Sequence, residues 1–115
     1  MLTLYGIKNC DTVKKAQNWL KNNQVEFQFH DFRQDGLEQG RLSAWVDAVG
    51  WEALLNRRST TWRQLAEADK APMDANKAMK LMLSHPTLIK RPVIVRGDMV
   101  IVGFNEQNLQ PLVNK

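Results

Sequence analysis

The sequence predicts an α/β fold built on a mixed four-stranded sheet. Three observations carry that expectation. A strand, a helix and a second strand fit within about the first thirty residues. The apolar spacing then turns helical through the middle of the chain. It returns to short apolar runs around Gly97-Asp98 near the end.

Each element has a local reason. Leu2-Thr3-Leu4-Tyr5 alternates and meets Gly6, which reads as a short strand. From about Asp11 to Asn22, the apolar positions Val13, Ala16 and Leu20 recur at helical spacing with lysines opposite. Asn22-Asn23 is the stop. Val25, Phe27 and Phe29 alternate with Glu26, Gln28 and His30, the pattern of a half-buried strand. A strand–helix–strand unit this short requires a parallel pair. Leu42, Trp45, Val46 and Val49 follow helical spacing and Gly50 ends that helix. A short helix from Trp51 to Leu55 comes next, and Thr60-Thr61-Trp62 opens another short turn carrying Leu65. Ala75, Ala78, Met79, Met82 and Leu83 mark an amphipathic helix between Asp74 and Pro86, with the methionines as core filler. Val93-Ile94-Val95 and the run from Met99 to Val102 flank Gly97-Asp98, a two-residue hairpin signal. Asn105 caps a last helix holding Leu109 and Leu112.

The order is therefore βαβ, a helical block, then ββα. One sheet takes all four strands, a parallel N-terminal pair and an antiparallel C-terminal pair, with helices covering the apolar faces. That is the thioredoxin-like arrangement. It is expected as a single domain over residues 1–115, with residues from about 36 to 86 as a helical insertion.

Composition narrows the function. The 115 residues are 43% hydrophobic and 24% charged, which suits one globular domain with a real core. No run approaches the ~20 apolar residues of a membrane span, and the first residues lack the pattern of a secretion signal. Sixteen Lys and Arg against twelve Asp and Glu leave a net charge of +4. The basic residues are interleaved with acids rather than gathered in a stripe, so neither nucleic acid nor membrane is expected as a partner. One cysteine, Cys10, excludes an internal disulfide framework and fits a reduced, cytoplasmic setting. His30 and His85 are isolated in sequence, so no metal site is expected, and no phosphate-binding glycine loop is present.

Cys10 stands between the first strand and the first helix, in Lys8-Asn9-Cys10-Asp11-Thr12. A helix N-terminus gathers unpaired N–H groups and a partial positive charge, and these favour a thiolate. Lys8, Lys14 and Lys15 add to that field, and Asp11 opposes it if it faces the sulfur. An inert, buried thiol is the other reading; the polar neighbours on both sides of Cys10 favour the reactive one. Three positions on stands Val13, so a C-x-x-C cycle is impossible and the second thiol must come from glutathione or a partner. Arg57-Arg58 and Arg91-Pro92 are the arginine positions of interest, because guanidinium groups suit carboxylates and oxyanions. In a thioredoxin-like sheet, the loop entering the Val93 strand lies beside the first βα turn. That places Arg91 near Cys10 and makes Pro92 a candidate cis proline.

Tyr5-Gly6-Ile7-Lys8-Asn9-Cys10-Asp11-Thr12, Gly50-Trp51-Glu52-Ala53-Leu54-Leu55-Asn56, Thr60-Thr61-Trp62 and Leu88-Ile89-Lys90-Arg91-Pro92 together resemble the ArsC/Spx family, in its YffB-like branch. The resemblance runs over about residues 2 to 113. It implies a thioredoxin-like fold with a helical insertion. In the family's arsenate reductases a cysteine of the first βα loop attacks arsenate, and glutathione and glutaredoxin complete the reduction. Cys10 falls on that nucleophile and Arg91 on an oxyanion-binding arginine. Arg58 matches the Spx and YffB branches, whereas Asn56 stands where arsenate reductases have an arginine. A third arginine would fall near Gly103, and the histidine close to the nucleophile is replaced by Gly6.

The function expected first is thus a glutathione-dependent thiol-disulfide oxidoreductase with a monothiol mechanism. Cys10, Arg91 and Arg58 are its catalytic group, and Lys8, Asn9, Asp11, Thr12 and Pro92 its substrate- or glutathione-binding group. Glutathione is the expected co-substrate, with glutaredoxin as a further reductant, no tightly bound cofactor and a monomeric chain. Arsenate reduction is one alternative. The other is a regulator that docks on a protein, as Spx does on RNA polymerase. Trp45, Trp51 and Trp62 are candidates for its surface, although core packing is the first expectation for each.

Overall fold

Alternation along β1 assigns the two faces of the sheet. The computed structural model describes residues 2–8, 10–65, 70 and 73–113. β1 (Leu2–Gly6) lies between β2 (Phe27–Asp31) and β3 (Val93–Arg96), with β4 (Met99–Val102) beyond β3. The β1–β2 pair is parallel; the β1–β3 and β3–β4 pairs are antiparallel. These directions, with the intervening helices, make the thioredoxin-like α/β fold that the sequence predicts. The register puts Phe29, Leu4, Ile94 and Ile101 in one row across the sheet, and His30, Tyr5, Val93 and Val102 in the next. Because successive residues point to opposite faces, the two rows belong to different sides.

The first face carries the core. α1 (Asp11–Asn22) buries Val13, Ala16 and Leu20. They cluster with Leu2, Leu4 and Ile94 from the strands and with Leu109 and Leu112 from the C-terminal segment. That segment is α6 (Glu106–Leu109) followed by a 3-10 turn (Gln110–Leu112). Asn105 caps it as the sequence predicts, its Oδ1 accepting from Gln107 N–H at 2.8 Å. The β3–β4 hairpin turns at Gly97-Asp98, with Gly97 at φ +59°, a conformation that costs glycine little.

One strand is shorter than its alternation implies. Gln24 sits at φ +60°, and Val25 donates its N–H to Leu20 O at 2.9 Å. Val25 therefore belongs to the exit turn of α1, and β2 starts at Phe27.

The chain divides into two compact units, Met1–Gly36 with Arg91–Lys115, and Leu37–Lys90. The first holds the sheet. The second is helical: α2 (Gln39–Val49), α3 (Trp51–Leu54), α4 (Thr60–Gln64) and α5 (Ala75–Ser84), then a 3-10 turn (Pro86–Leu88). α2, α3 and α5 pack on one another. Leu42, Trp45, Leu54, Ala78 and Met82 are buried among them. Asp74 caps α5, its Oδ1 accepting from Lys77 N–H at 2.8 Å. A bridge between Leu55 and Ile89 ties the exit of α3 to the end of this unit, reinforced by Asn56 N–H to Leu88 O at 2.7 Å and Lys90 N–H to Leu54 O at 2.8 Å.

Trp45 is core, at 2% exposure. Trp51 and Trp62 depart from that expectation and are only half-buried. The Arg57 guanidinium lies 5.8 Å from the Trp51 ring and 5.9 Å from the Trp62 ring, and Lys70 Nζ lies 5.7 Å from Trp62. Cations thus cover indole faces that aliphatic packing leaves open. Among the described residues, no helix is long and apolar enough to cross a membrane.

Candidate active site

The turn between β1 and α1 delivers Cys10. Its N–H donates to Ile7 O at 3.2 Å, and its carbonyl accepts from Lys14 N–H at 3.0 Å, opening the helix. Cys10 is the N-cap, extended at φ −94° and ψ 124°. A sulfur thus stands where helices usually place a capping oxygen. The residue is half-exposed and leans on the sheet-side core.

Two opposed effects act on that sulfur. Burial disfavours the thiolate. The Val13 N–H, the Arg91 guanidinium as donor and as charge, and the Thr12 N–H favour it, and together they prevail. The Cys10 thiol is held below its ordinary value, although the sulfur makes no capping hydrogen bond of regular geometry. Arg91 is half-buried with Nε enclosed, and its guanidinium acts on the sulfur both as a donor and as a charge.

Pro92 follows Arg91 at the entrance of β3. The Arg91–Pro92 peptide is cis, Pro92 is buried, and Gly103 N–H donates to Pro92 O at 2.8 Å. The entrance of β3 is thereby tied to the residue after β4.

Asp31, a residue that sequence reasoning missed, holds the turn from the other side. It ends β2 at 3% exposure. Its Oδ2 accepts from Lys8 N–H at 3.1 Å; its Oδ1 accepts from Arg33 N–H at 2.7 Å and Gln34 N–H at 3.3 Å. Burial pushes the Asp31 carboxyl up, but these N–H groups and the nearby Arg33 charge hold it below the usual carboxylate range. The signal that could have found it is an aspartate closing a strand just ahead of a turn, the setting in which its oxygen collects N–H groups.

The structure brings some of the predicted residues together and leaves others apart. Cys10, the Thr12 N–H and Arg91 meet at the sulfur, and Pro92 follows Arg91 in sequence. Lys8 presents an exposed side chain, but its backbone N–H is committed to Asp31. Asp11 is exposed, and the charge acting on the sulfur is that of Arg91. Asn9 lies outside the described residues. Arg58 belongs to the helical unit; it is exposed there, and its N–H donates to Asn56 Oδ1 at 3.0 Å. Of the histidines, His30 packs its ring on Tyr5 at 4.9 Å with Nε2 2.7 Å from Gly36 O, and His85 caps the end of α5. Among the described residues, no group of three or more His, Cys, Asp or Glu is arranged to hold a metal ion.

Comparison with known proteins identifies the family. A family model described as ArsC family matches residues 5–112. A solved structure of a YffB protein superposes with a TM-score of 0.95 at 43% identity, covering 99% of this chain and 100% of that one. The solution structure of an arsenate reductase (ArsC) related protein from Brucella melitensis gives a TM-score of 0.79 at 43% identity, over 96% of this chain and 92% of that one. The global transcriptional regulator Spx of Streptococcus pyogenes is 26% identical over 117 residues, 100% of this chain and 87% of that protein. Reductase-like and regulatory proteins thus share this frame, and with a match spanning nearly all of its length this chain belongs to the ArsC family.

Proposed function

We propose that this protein is a glutathione-dependent thiol-disulfide oxidoreductase that uses Cys10 alone. The observation that carries the reading is the sulfur itself, half-exposed at a helix N-terminus and paired with Arg91. A thiolate, not a thiol, attacks disulfides.

The cycle balances with one protein thiol. Cys10 thiolate attacks the glutathione sulfur of a mixed disulfide between glutathione and a substrate thiol. A Cys10–glutathione disulfide forms, the substrate S–S bond breaks, and the substrate sulfur leaves as a thiolate that takes a proton from water. A second glutathione thiolate then attacks the sulfur bound to Cys10. Glutathione disulfide leaves and the Cys10 thiolate returns; the two electrons come from glutathione. Arg91 stabilises Cys10 as attacker and as leaving group, since lower basicity speeds departure. It is the candidate partner for a glutathione carboxylate. The exposed Lys8, Asp11 and Thr12 border the same turn. The test is turnover of a glutathionylated peptide with glutathione, together with mass spectrometry of the protein. A Cys10–glutathione adduct and turnover lost in Cys10→Ser are expected; no adduct and no turnover overturn the reading.

Arsenate reduction is the second reading, favoured by the likeness to the Brucella arsenate reductase related protein. Arg91 would then face the oxyanion. Arsenite formed from arsenate, glutathione and glutaredoxin above the level without protein supports it, and its absence removes it. Spx-like docking on a protein partner is the third, resting on the end-to-end match to Spx. Partner capture that persists in Cys10→Ser distinguishes it from catalysis.

A further inference from the structure

β1 ends on Gly6, and the missing side chain there is a steric requirement. A Cβ at this position would stand 2.7 Å from Val13 Cγ2, 3.3 Å from Cγ1 and 3.6 Å from Cβ. Both methyl groups of Val13 face the glycine, so exchanging one staggered state for another leaves a methyl against it. Val13 cannot swing aside either. It is 1% exposed and packed in the cluster of Leu2, Leu4, Ala16, Leu20 and Ile94. A side chain at position 6 therefore requires a shift at this contact, and the first turn of α1, which carries Val13, is the element that stands against it.

That turn carries the groups that face the sulfur. Thr12 and Val13 present their N–H groups to Cys10. Cys10 is held from both sides, its N–H bound to Ile7 O at 3.2 Å and its carbonyl accepting from Lys14 N–H at 3.0 Å, and Lys8 two residues earlier is bound to Asp31. A shift of the helix against β1 would load the Cys10 backbone at both of these hydrogen bonds and change the approach of the Thr12 and Val13 N–H groups to the sulfur. We propose that Gly6 is a positioning residue for the Cys10 site. Its bare α-carbon lets Val13 seat against the end of β1, and that seat keeps the N–H groups of Thr12 and Val13 on the sulfur. Gly6 and Val13 thus form a complementary pair: the volume denied to residue 6 is occupied by the side chain of residue 13. The proposal rests on the Cys10 thiolate reading and deepens it.

The experiment is the pH dependence of Cys10 alkylation in the full chain, with circular dichroism as the check on folding. It compares wild type, Gly6→Ala, Val13→Ala and the double variant Gly6→Ala/Val13→Ala. In Gly6→Ala the titration midpoint should move up and alkylation at neutral pH should slow several-fold. The double variant, with space for the new methyl, should titrate like Val13→Ala. A folded Gly6→Ala that titrates like wild type overturns the proposal. If Gly6→Ala does not fold, the double variant decides: folding with the Val13→Ala midpoint supports the pairing, and failure to fold or a midpoint above that of Val13→Ala refutes it. A wild-type midpoint at the ordinary cysteine value would instead defeat the thiolate reading, and this proposal with it.

Discussion

Asp31 holds Lys8 by its backbone: the carboxylate at the end of β2 accepts the Lys8 N–H at 3.1 Å, across 23 residues of sequence. The parallel register sets Asp31 beside Gly6, so the carboxylate reaches the turn just before Cys10. Phe32 N–H donates to Gly6 O at 2.9 Å and continues the tie. The ends of two strands thereby fix the path of the segment that carries the nucleophile.

Removing that carboxylate should be costly. Asp31→Ala strips the charged acceptor from three backbone N–H groups. Hydrogen bonds to charged groups contribute about 1.5–3 kcal/mol each, and water can replace some of them. A loss of about 2–4 kcal/mol in urea unfolding is expected, with a smaller loss in Asp31→Asn, which keeps one acceptor oxygen.

The same group predicts an acid limb. Its folded-state pKa lies below the usual carboxylate value. The stability it contributes is complete above the unfolded value of about 3.9, and it is lost as pH falls through the folded one. Unfolding measured across the acid range should show less pH dependence in Asp31→Asn than in wild type.

Local signals were legible in the chain; contacts between distant segments were less so. The spacing of Val13, Ala16 and Leu20 announces α1, and Gly97-Asp98 announces the hairpin, because both signals are local and periodic. Cys10 and Arg91 were legible once the order of elements was known, since the thioredoxin-like topology brings the entrance of β3 beside the first βα turn. Asp31 was hidden at a strand end, on the phase of Phe27 and Phe29; its role depends on a partner 23 residues away. Gly6 reads in sequence as a strand terminator. Only the Val13 methyl groups against it reveal a packing constraint. Trp51 and Trp62 read as core from composition, but cations share their faces.

Arg91 is expected to matter by both charge and shape. Arg91→Ala removes a donor and a charge from the sulfur, so the Cys10 midpoint should rise and peptide reduction should fall about tenfold to a hundredfold. Arg91→Lys keeps the charge without the planar fork and should fall between. Kinetics of the three proteins at one pH, with matched titrations, check this.

Arg57 offers a contrast in the helical unit. It is exposed, and its contacts with the Trp51 and Trp62 rings are those of exposed cation–π pairs, about 0.5–1 kcal/mol. Arg57→Ala should lower stability by about 1 kcal/mol or less and increase the solvent exposure reported by tryptophan fluorescence.

The proposed chemistry requires Cys10 to be a thiolate at neutral pH while the protein is folded. Ultraviolet absorbance of the thiolate, followed through a pH titration and corrected with Cys10→Ser, measures this directly. The expected midpoint lies clearly below that of the same cysteine in the urea-unfolded chain. A folded-state midpoint equal to or above the unfolded one would contradict the thiolate.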